Sequence, residues 1–286
     1  MIKNIVFDIG NVLVDFGWKA FIEKFGYSEE VNRRVVEATI KSGDWNEYDR
    51  GVLSEEEIVQ CFVNNDPGIE TELRTMCADF AGLLTQFEYT KGLIIDLQNK
   101  GFKVYALSNM SYKACRECED ALNFLPMMDG YVLSCNVKQI KPDKEIYETL
   151  FNTYGLKPEE CVFFDDLPAN ISAAKSLGMH GIVFKDLKQA ISELEALLAS
   201  EEKEEGFKSS YSKPQRIAAL VSVVLIVAVY IFNFVLSLLV TAWAKTLFRI
   251  SFGATLVIPL LAWFYIWLFG KLTHKETIAD FNFFKK

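Results

Sequence analysis

The chain is poor in histidine and has no excess of positive charge. Only two histidines, His180 and His274, occur among its 286 residues, and the formal net charge is -8 at pH 7. Two histidines so far apart in sequence argue against a histidine-rich metal site or a serine–histidine catalytic pair. The negative charge argues against nucleic acid as the main partner, because a surface that binds the phosphate backbone needs a basic stripe.

Features of exported proteins are also missing. The N-terminal residues MIKNIVFDIG have neither a long apolar core nor a small-residue cleavage site, so we expect no secretory signal. The six cysteines are irregularly spaced, which favours reduced thiols in the cytosol over a disulfide framework. Cys115 and Cys118 have the C-x-x-C spacing of redox motifs, but no second pair accompanies them, so we favour a structural role.

Two long uncharged runs stand near the C-terminus. Residues 217–240 and 250–270 contain no charged side chain, and each exceeds the roughly 20 residues that cross a bilayer. They predict a transmembrane hairpin in the lipid bilayer that could also self-associate as a homo-oligomer. Basic residues flank it on both sides and favour a cytoplasmic catalytic part and a cytoplasmic C-terminus: Lys208, Lys213, Arg216, Lys271, Lys275, Lys285 and Lys286. A transport role for the hairpin is disfavoured, since neither run carries an intramembrane charge.

Residues 1–200 alternate between strand-like and helix-like segments. Such alternation predicts an α/β fold with a parallel sheet covered by helices on both faces. No strand is predicted between residues 16 and 88, so this region is expected to be an all-helical insertion; it contains a capping-box pattern at Ser54 and Glu57. Residues 201–216 are rich in charge and contain Gly206, two serines and Pro214. They predict a linker.

Within that insertion, one patch combines aromatic and charged side chains in a stretch that we expect to be a loop. The patch consists of Trp45, Tyr48, Asp49 and Arg50. The patch could pack between helices, or it could contact a substrate; the sequence does not decide between these two roles.

Polar side chains follow three of the predicted strands. They are Asp8, the pair Ser108 and Asn109, and the pair Asp165 and Asp166, with Lys141 between the last two pairs. In a parallel sheet the carboxyl ends of the strands meet at one edge, so these residues should converge. The carboxylates could hold Mg²⁺, and Lys141 could neutralise a phosphate. Asp8 could then attack phosphorus, while Ser108 and Asn109 donate hydrogen bonds to phosphoryl oxygens.

This order of motifs resembles the haloacid dehalogenase superfamily of phosphatases. The matching segments are FDIGNV around Asp8, ALSN around Ser108, QIKP around Lys141, and FFDD around Asp165 with Asn170 following. The resemblance covers about residues 1–200. It implies a Rossmann-like, doubly wound parallel sheet whose active site lies under a helical cap, here residues 16–88.

The resemblance also implies a role for each motif residue. Asp8 would be the nucleophile and a Mg²⁺ ligand, and the other ligands would be the backbone carbonyl of Gly10, Asp165 and Asp166. Ser108, Asn109 and Lys141 would hold the phosphate. The amino-acid sequences of these motifs most resemble those of the branch that includes alpha-D-glucose-1-phosphate phosphatase. A small phosphorylated metabolite, most simply a sugar phosphate, would then be the substrate.

Gly10 departs from the family pattern. Most phosphatases of the superfamily have a second aspartate at this position, which protonates the leaving group and activates water. Two hypotheses follow: an active phosphatase whose leaving group has a low pKa, such as a glycosyl 1-hydroxyl, or a weak or inactive module that binds a phosphorylated ligand at a membrane. Asp15 lies seven residues beyond Asp8 and is not assigned the missing role. Dehalogenation is disfavoured by the pair Asp165 and Asp166.

Overall fold

A computed structural model describes residues 1–210, with side chains up to residue 201, and isolated positions between 224 and 264. The chain divides into two compact units, Met1–Lys203 and Glu204–Lys286. The description below concerns the first unit, which contains all the motif residues.

Seven strands are present in the described part of the chain, and five of them form one parallel sheet. The strands are β1 (Asn4–Phe7), β2 (Val14–Phe16), β3 (Leu84–Gln86), β4 (Lys103–Ser108), β5 (Gly130–Leu133), β6 (Cys161–Asp165) and β7 (His180–Val183). The parallel sheet has the order β5-β4-β1-β6-β7. The predicted α/β class with a parallel sheet is therefore confirmed.

Strand β1 is the central strand of this sheet. It pairs with β4 on one side and β6 on the other, so that Val6 lies opposite Tyr105 and Phe163. All four residues of β1 are buried, as expected for a parallel strand that is covered on both faces. The ring of Phe7 stacks on that of Phe164 with centroids 5.0 Å apart. Asp8 therefore directly follows the buried central strand of the sheet.

Helices cover both faces of the sheet and form most of the insertion. They are α1 (Trp18–Glu23), α2 (Glu29–Ala38), α3 (Gly43–Arg50), α4 (Glu55–Asn65), α5 (Glu70–Ala78), α6 (Thr90–Asn99), α7 (Tyr112–Glu117), α8 (Ser134–Val137), α9 (Lys144–Tyr154), α10 (Pro168–Ser176) and α11 (Leu187–Ser210). Helices α1 to α5 belong to the insertion, which we call the cap.

The cap is not all-helical, and that prediction was wrong. Strands β2 and β3 pair antiparallel with Asp15 opposite Thr85, and so tie the two ends of the cap together. Each strand has three residues. A segment this short shows no measurable alternation of apolar and polar residues, which is the signal that sequence reasoning uses to detect a strand.

The expected loop around Trp45 is also wrong, because these residues form α3. The helix begins after Ser42 and ends at Gly51, which has a left-handed φ of 68° that suits a glycine at a helix end. Trp45 packs against Phe62 and Phe80 with ring centroids 6.1 and 6.2 Å away. Packing between helices therefore accounts for Trp45. The sequence DWNEYDR is too polar to show a helical apolar stripe.

Helix α11 extends to Ser210, through the first ten residues of the predicted linker. Its acidic and basic residues are good helix formers, and one interior glycine costs only about 1 kcal/mol. Residues 211–216 lie outside the described part of the chain.

The predicted hairpin falls on residues 217–240 and 250–270, which lie outside the described residues except for isolated positions. None of the helices that the structure describes is long and apolar enough to cross a membrane.

The predicted capping box at the start of α4 is confirmed and is testable. The Glu57 backbone N–H donates to Ser54 Oγ at 3.3 Å, and the Ser54 backbone N–H donates to Glu57 Oε2 at 2.8 Å. Ser54→Ala should lower the free energy of unfolding by about 1 kcal/mol in a urea titration, because the Glu57 backbone N–H loses its acceptor and the Glu57 carboxylate loses the hydroxyl donor. Ser54→Thr keeps the hydroxyl and should lose much less. Equal stability of the alanine and wild-type proteins would contradict this account.

Candidate active site

Asp8 lies at the carboxyl end of β1, where three donors converge on its carboxylate. Its Oδ1 accepts hydrogen bonds from Ser108 Oγ and from the Ile9 backbone N–H, both at 2.7 Å. The Lys141 ammonium lies 2.7 Å from the same oxygen. The structure thus brings together three residues that are far apart in sequence, as the strand-end argument predicted.

The Lys141 ammonium bridges two buried carboxylates. Its Nζ is 2.7 Å from Asp8 Oδ1 and 2.7 Å from Asp165 Oδ2, and the residue is 3% exposed. Asn109 fixes the lysine backbone from both sides: its Oδ1 accepts from the Lys141 N–H at 2.8 Å and its Nδ2 donates to the Lys141 carbonyl at 3.0 Å. Asn109 therefore positions Lys141, and contact between its amide and a phosphate stays a prediction.

Asp165 is fully buried and held by several donors besides Lys141. Asn170 Nδ2 lies 3.0 Å from both carboxylate oxygens, and the Leu167 N–H donates to Oδ1 at 2.8 Å. The Asn170 carbonyl in turn accepts from Tyr147 Oη at 2.9 Å. The sequence motif contains Asn170, but its function as the anchor of Asp165 required the structure.

Asp166 is less buried and is held by Asn11, a residue that sequence reasoning missed. Asn11 Nδ2 donates to Asp166 Oδ2 at 2.9 Å. The backbone of Asn11 has a φ of 57°, a left-handed conformation that asparagine tolerates better than most residues. The position of Asn11, directly after the glycine of the turn that follows β1, is the sequence feature that could have indicated this role.

Three carboxylates form a possible metal site at this edge of the sheet. Asp8, Asp165 and Asp166 each offer an oxygen, all within 4.8 Å of one another, and no other such group occurs among the residues that the structure describes. Oxygen donors of this kind suit hard divalent cations, and the carboxylates outnumber the single ammonium of Lys141. The donor set therefore fits a divalent cation. The Gly10 carbonyl as a further ligand stays a prediction.

The electrostatics of the site follow from its burial. Burial raises the pKa of Asp8 to about 6, although the charge of Lys141 opposes the shift. Burial also raises the pKa of Asp166. For Lys141, burial lowers the pKa, but the two neighbouring carboxylates outweigh it and the net shift is upward. The lysine is therefore charged at neutral pH, where it can attract an anionic substrate.

Other residues singled out in the sequence lie apart from this cluster. Cys118 Sγ contacts the Phe80 carbonyl at 3.2 Å, whereas the thiol of Cys115 interacts with Cys135. The C-x-x-C pair therefore does not form a joint site, and all six cysteines, which lie in the described part, are free thiols. His180 begins β7, as expected. Asp15 is an exposed residue of β2.

A comparison of the sequence with models of protein families shows the family of the chain. The family of haloacid dehalogenase-like hydrolases matches residues 2–178. The chain belongs to this family.

Within the family, two curated phosphatases match over most of their own length. The chain is 24% identical to the Sesquiterpene phosphatase astK of Aspergillus oryzae over 199 residues, covering 68% of this chain and 96% of that protein. It is 29% identical to the D-ribitol-5-phosphate phosphatase of Bacteroides thetaiotaomicron over 188 residues, covering 62% of this chain and 89% of that protein.

Other relatives are longer or are known from structure. The chain is 29% identical over 215 residues to Acyl-CoA dehydrogenase family member 10 of Mus musculus, covering 68% of this chain but only 19% of that protein's length. A solved structure of a predicted HAD-like family hydrolase from Porphyromonas gingivalis has a TM-score of 0.55 and 23% identity, covering 69% of this chain and 98% of that one. This likeness concerns the fold.

The bridging lysine makes a prediction for stability. Lys141→Met should lower the free energy of unfolding by about 3 kcal/mol at neutral pH in metal-free buffer, because two buried carboxylates lose their counter-charge. The pKa of Asp8 is raised in the folded protein, so protonation of Asp8 stabilises the folded state. This stabilisation is lost as the pH rises and Asp8 ionises. The deficit of the variant should therefore be smaller near about pH 5 than near about pH 8.

The matched control for this stability measurement is Lys144→Met. Lys144 is exposed, and its Nζ lies 3.5 Å from Glu148, so its removal should change the free energy of unfolding by less than about 0.5 kcal/mol. A Lys141→Met deficit that is the same at both pH values would contradict the electrostatic account.

Proposed function

We propose that the protein is a Mg²⁺-dependent phosphatase that hydrolyses a small phosphomonoester through an aspartyl-phosphate intermediate. The observation that carries the proposal is the contact of Asp8 with both Ser108 and Lys141 beside two further carboxylates. A nucleophile, a cation and a hydroxyl donor at one point are the groups that phosphoryl transfer requires.

The arrangement leaves one oxygen of the nucleophile available. Among the described residues, the donors to the Asp8 carboxylate all contact Oδ1, so Oδ2 can attack phosphorus. Ser108 and Lys141 would hold the phosphoryl oxygens and balance their charge. Asp8, Asp165 and Asp166, with the Gly10 carbonyl, would hold Mg²⁺, which supplies positive charge beside the phosphoryl group. Water then cleaves the aspartyl-phosphate, which releases inorganic phosphate and restores Asp8.

For the substrate we propose a sugar phosphate such as glucose 1-phosphate. The resemblance of the motifs supports this choice, and the relative named for D-ribitol 5-phosphate acts on a comparable small polyol phosphate. A glycosyl leaving group also needs less help from a proton donor than an ordinary alkyl alcohol does, and Gly10 supplies no such donor.

A second candidate function follows from Gly10. If no other group protonates the leaving group, the domain is a weak or inactive module that binds a phosphorylated ligand or acts as a scaffold at the membrane. Such a module would bind glucose 1-phosphate without releasing inorganic phosphate. Two observations support an active phosphatase over this module. Three carboxylates are available to hold a metal ion, and the pKa of Asp8 allows it to ionise at neutral pH.

We further propose that the C-terminal hairpin anchors the protein in a membrane, with the catalytic domain and C-terminus in the cytoplasm. The two uncharged runs and their basic flanks support this topology. The hairpin could also bring copies of the chain together as a homo-oligomer.

The catalytic proposal is tested by phosphate release from a panel of phosphomonoesters. Wild-type protein should release phosphate only with Mg²⁺, lose activity on chelation and regain it when Mg²⁺ is restored. Asp8→Asn should reduce release to background, because the nucleophile is gone. Asp15→Asn, the same substitution on exposed β2, should keep activity within about twofold. Hydrolysis that survives in Asp8→Asn would refute the aspartyl-phosphate route, and ligand binding without hydrolysis would favour the scaffold function.

The anchoring proposal is tested by fractionation. The full chain should stay with membranes after a high-salt wash and require detergent for extraction, whereas a chain ending at Ser210 should be released, because the apolar runs supply the attachment. Release of the full chain by salt alone would show that the attachment is not a membrane span.

A further inference from the structure

The core of the site has space at Gly10 but no side chain there to donate a proton. A β-carbon built on Gly10 would have no heavy atom within 4 Å, apart from its own neighbours in sequence. If the protein is the phosphatase proposed above, the leaving group must receive its proton from another part of the molecule. Such a donor would be an acidic side chain that the cap brings to the residues expected to hold phosphate.

The C-terminal end of α3 is the part of the cap that contacts them. Ser134 Oγ donates to the Asp49 carbonyl at 2.6 Å and accepts from the Met110 N–H at 2.8 Å. Met110 directly follows Asn109, so a single hydroxyl links the backbone at Asp49 to the loop after β4. Asn109 is the first residue of this loop and Ser108 is the last residue of β4, and both are expected to hold phosphate.

Two further contacts fix this end of the helix. A β-carbon on Gly51 would lie 3.0 Å from Cys135 Cβ, so the helix end approaches α8 as closely as a glycine allows. The Arg50 guanidinium lies 3.6 Å from the carboxylate of Asp143, two residues after Lys141. The helix end thus contacts the segments that follow both Asn109 and Lys141, with Asp49 between these contacts.

The carboxyl of Asp49 is half-buried and lies beside the loop that follows β4. The Ser111 backbone N–H interacts with it, and the titratable groups that act on it are Cys135 of α8, Asp8 after β1, and Lys141. Burial, with smaller contributions from Cys135 and Asp8, raises the pKa of Asp49 to about 8, although Lys141 opposes the shift. The raised pKa favours the protonated carboxyl, which is the form that a proton donor needs.

We propose that Asp49, delivered by the cap, is the general acid and base that stands in for the missing side chain at residue 10. The inference rests on the phosphatase function proposed above and assigns the proton transfers to a cap residue rather than to the β1 loop.

The proton balance is complete with this assignment. As Asp8 Oδ2 forms its bond to phosphorus, the bond between phosphorus and the ester oxygen breaks, and the Asp49 carboxyl gives its proton to that oxygen. The alcohol leaves and Asp49 becomes a carboxylate. It then takes a proton from the water that attacks the aspartyl-phosphate; the bond from phosphorus to Asp8 breaks, and Asp49 is protonated again.

The decisive experiment compares two esters in the full-length Asp49→Asn variant. An alkyl phosphate such as ribitol 5-phosphate needs its leaving group protonated, whereas p-nitrophenyl phosphate releases a stable anion. For the alkyl ester, kcat/KM, which reports the steps up to departure of the leaving group and not the later hydrolysis of the aspartyl-phosphate, should fall by about 10²-fold or more, the usual contribution of a general acid. For p-nitrophenyl phosphate it should fall less than about threefold. Retained activity on the second ester also shows that the variant is folded.

A control and a rescue sharpen the result. Asp44→Asn is the same substitution on the same helix, where Asn65 Nδ2 donates to the Asp44 carboxylate at 2.7 Å, and it should leave both rates unchanged. An aspartate side chain fits the open space at residue 10. Adding Gly10→Asp to the Asp49→Asn variant should therefore raise its rate on the alkyl ester by at least about tenfold.

Each other outcome contradicts the proposal. An equal loss of kcat/KM for both esters would mean that Asp49 has a structural role only, and no loss of kcat/KM for the alkyl ester would mean that another group donates the proton. Those results leave the phosphatase function intact. If the wild-type protein hydrolyses neither ester nor any other member of the panel, the phosphatase function itself fails.

Discussion

The site depends on one buried ammonium placed between two buried carboxylates. Burying Asp8, Asp165 or Lys141 alone would cost several kcal/mol, because each charge loses its hydration. At 2.7 Å from both acids, Lys141 offsets much of that cost. The three side chains come from the ends of β1 and β6 and from the segment before α9. The interaction therefore holds together the parts of the chain that must meet for chemistry.

Two asparagines and a serine set the geometry around this triad. Asn109 holds the backbone of Lys141, Asn170 holds the carboxylate of Asp165, and Ser108 donates to Asp8. Buried polar groups need such partners, since an unsatisfied one costs about 1–3 kcal/mol. Because every member is bonded to another, the site is ordered before any substrate arrives, which is the condition for electrostatic stabilisation of a transition state.

The cap adds what the sheet edge does not provide. Strands β2 and β3 close the base of the insertion, and the end of α3 contacts the segments that follow Asn109 and Lys141, two of the residues proposed to bind phosphate. The absence of an acidic side chain at Gly10 in the core is then compensated by Asp49 in the cap, if the proposed mechanism holds. In the proposed mechanism, the core supplies the nucleophile and the positive charge, and the cap acts on the leaving group.

The sequence by itself determined the parallel sheet and the convergence of Asp8, Ser108, Lys141 and Asp165, because buried apolar runs mark central strands and parallel strands end at one edge. It also determined the capping box of α4, which is a local pattern. Only the tertiary structure decided that β2 pairs with β3, that residues 43–50 are helical, and that Asn109 binds the Lys141 backbone. Each of these depends on contacts between residues distant in sequence, which no local periodicity records.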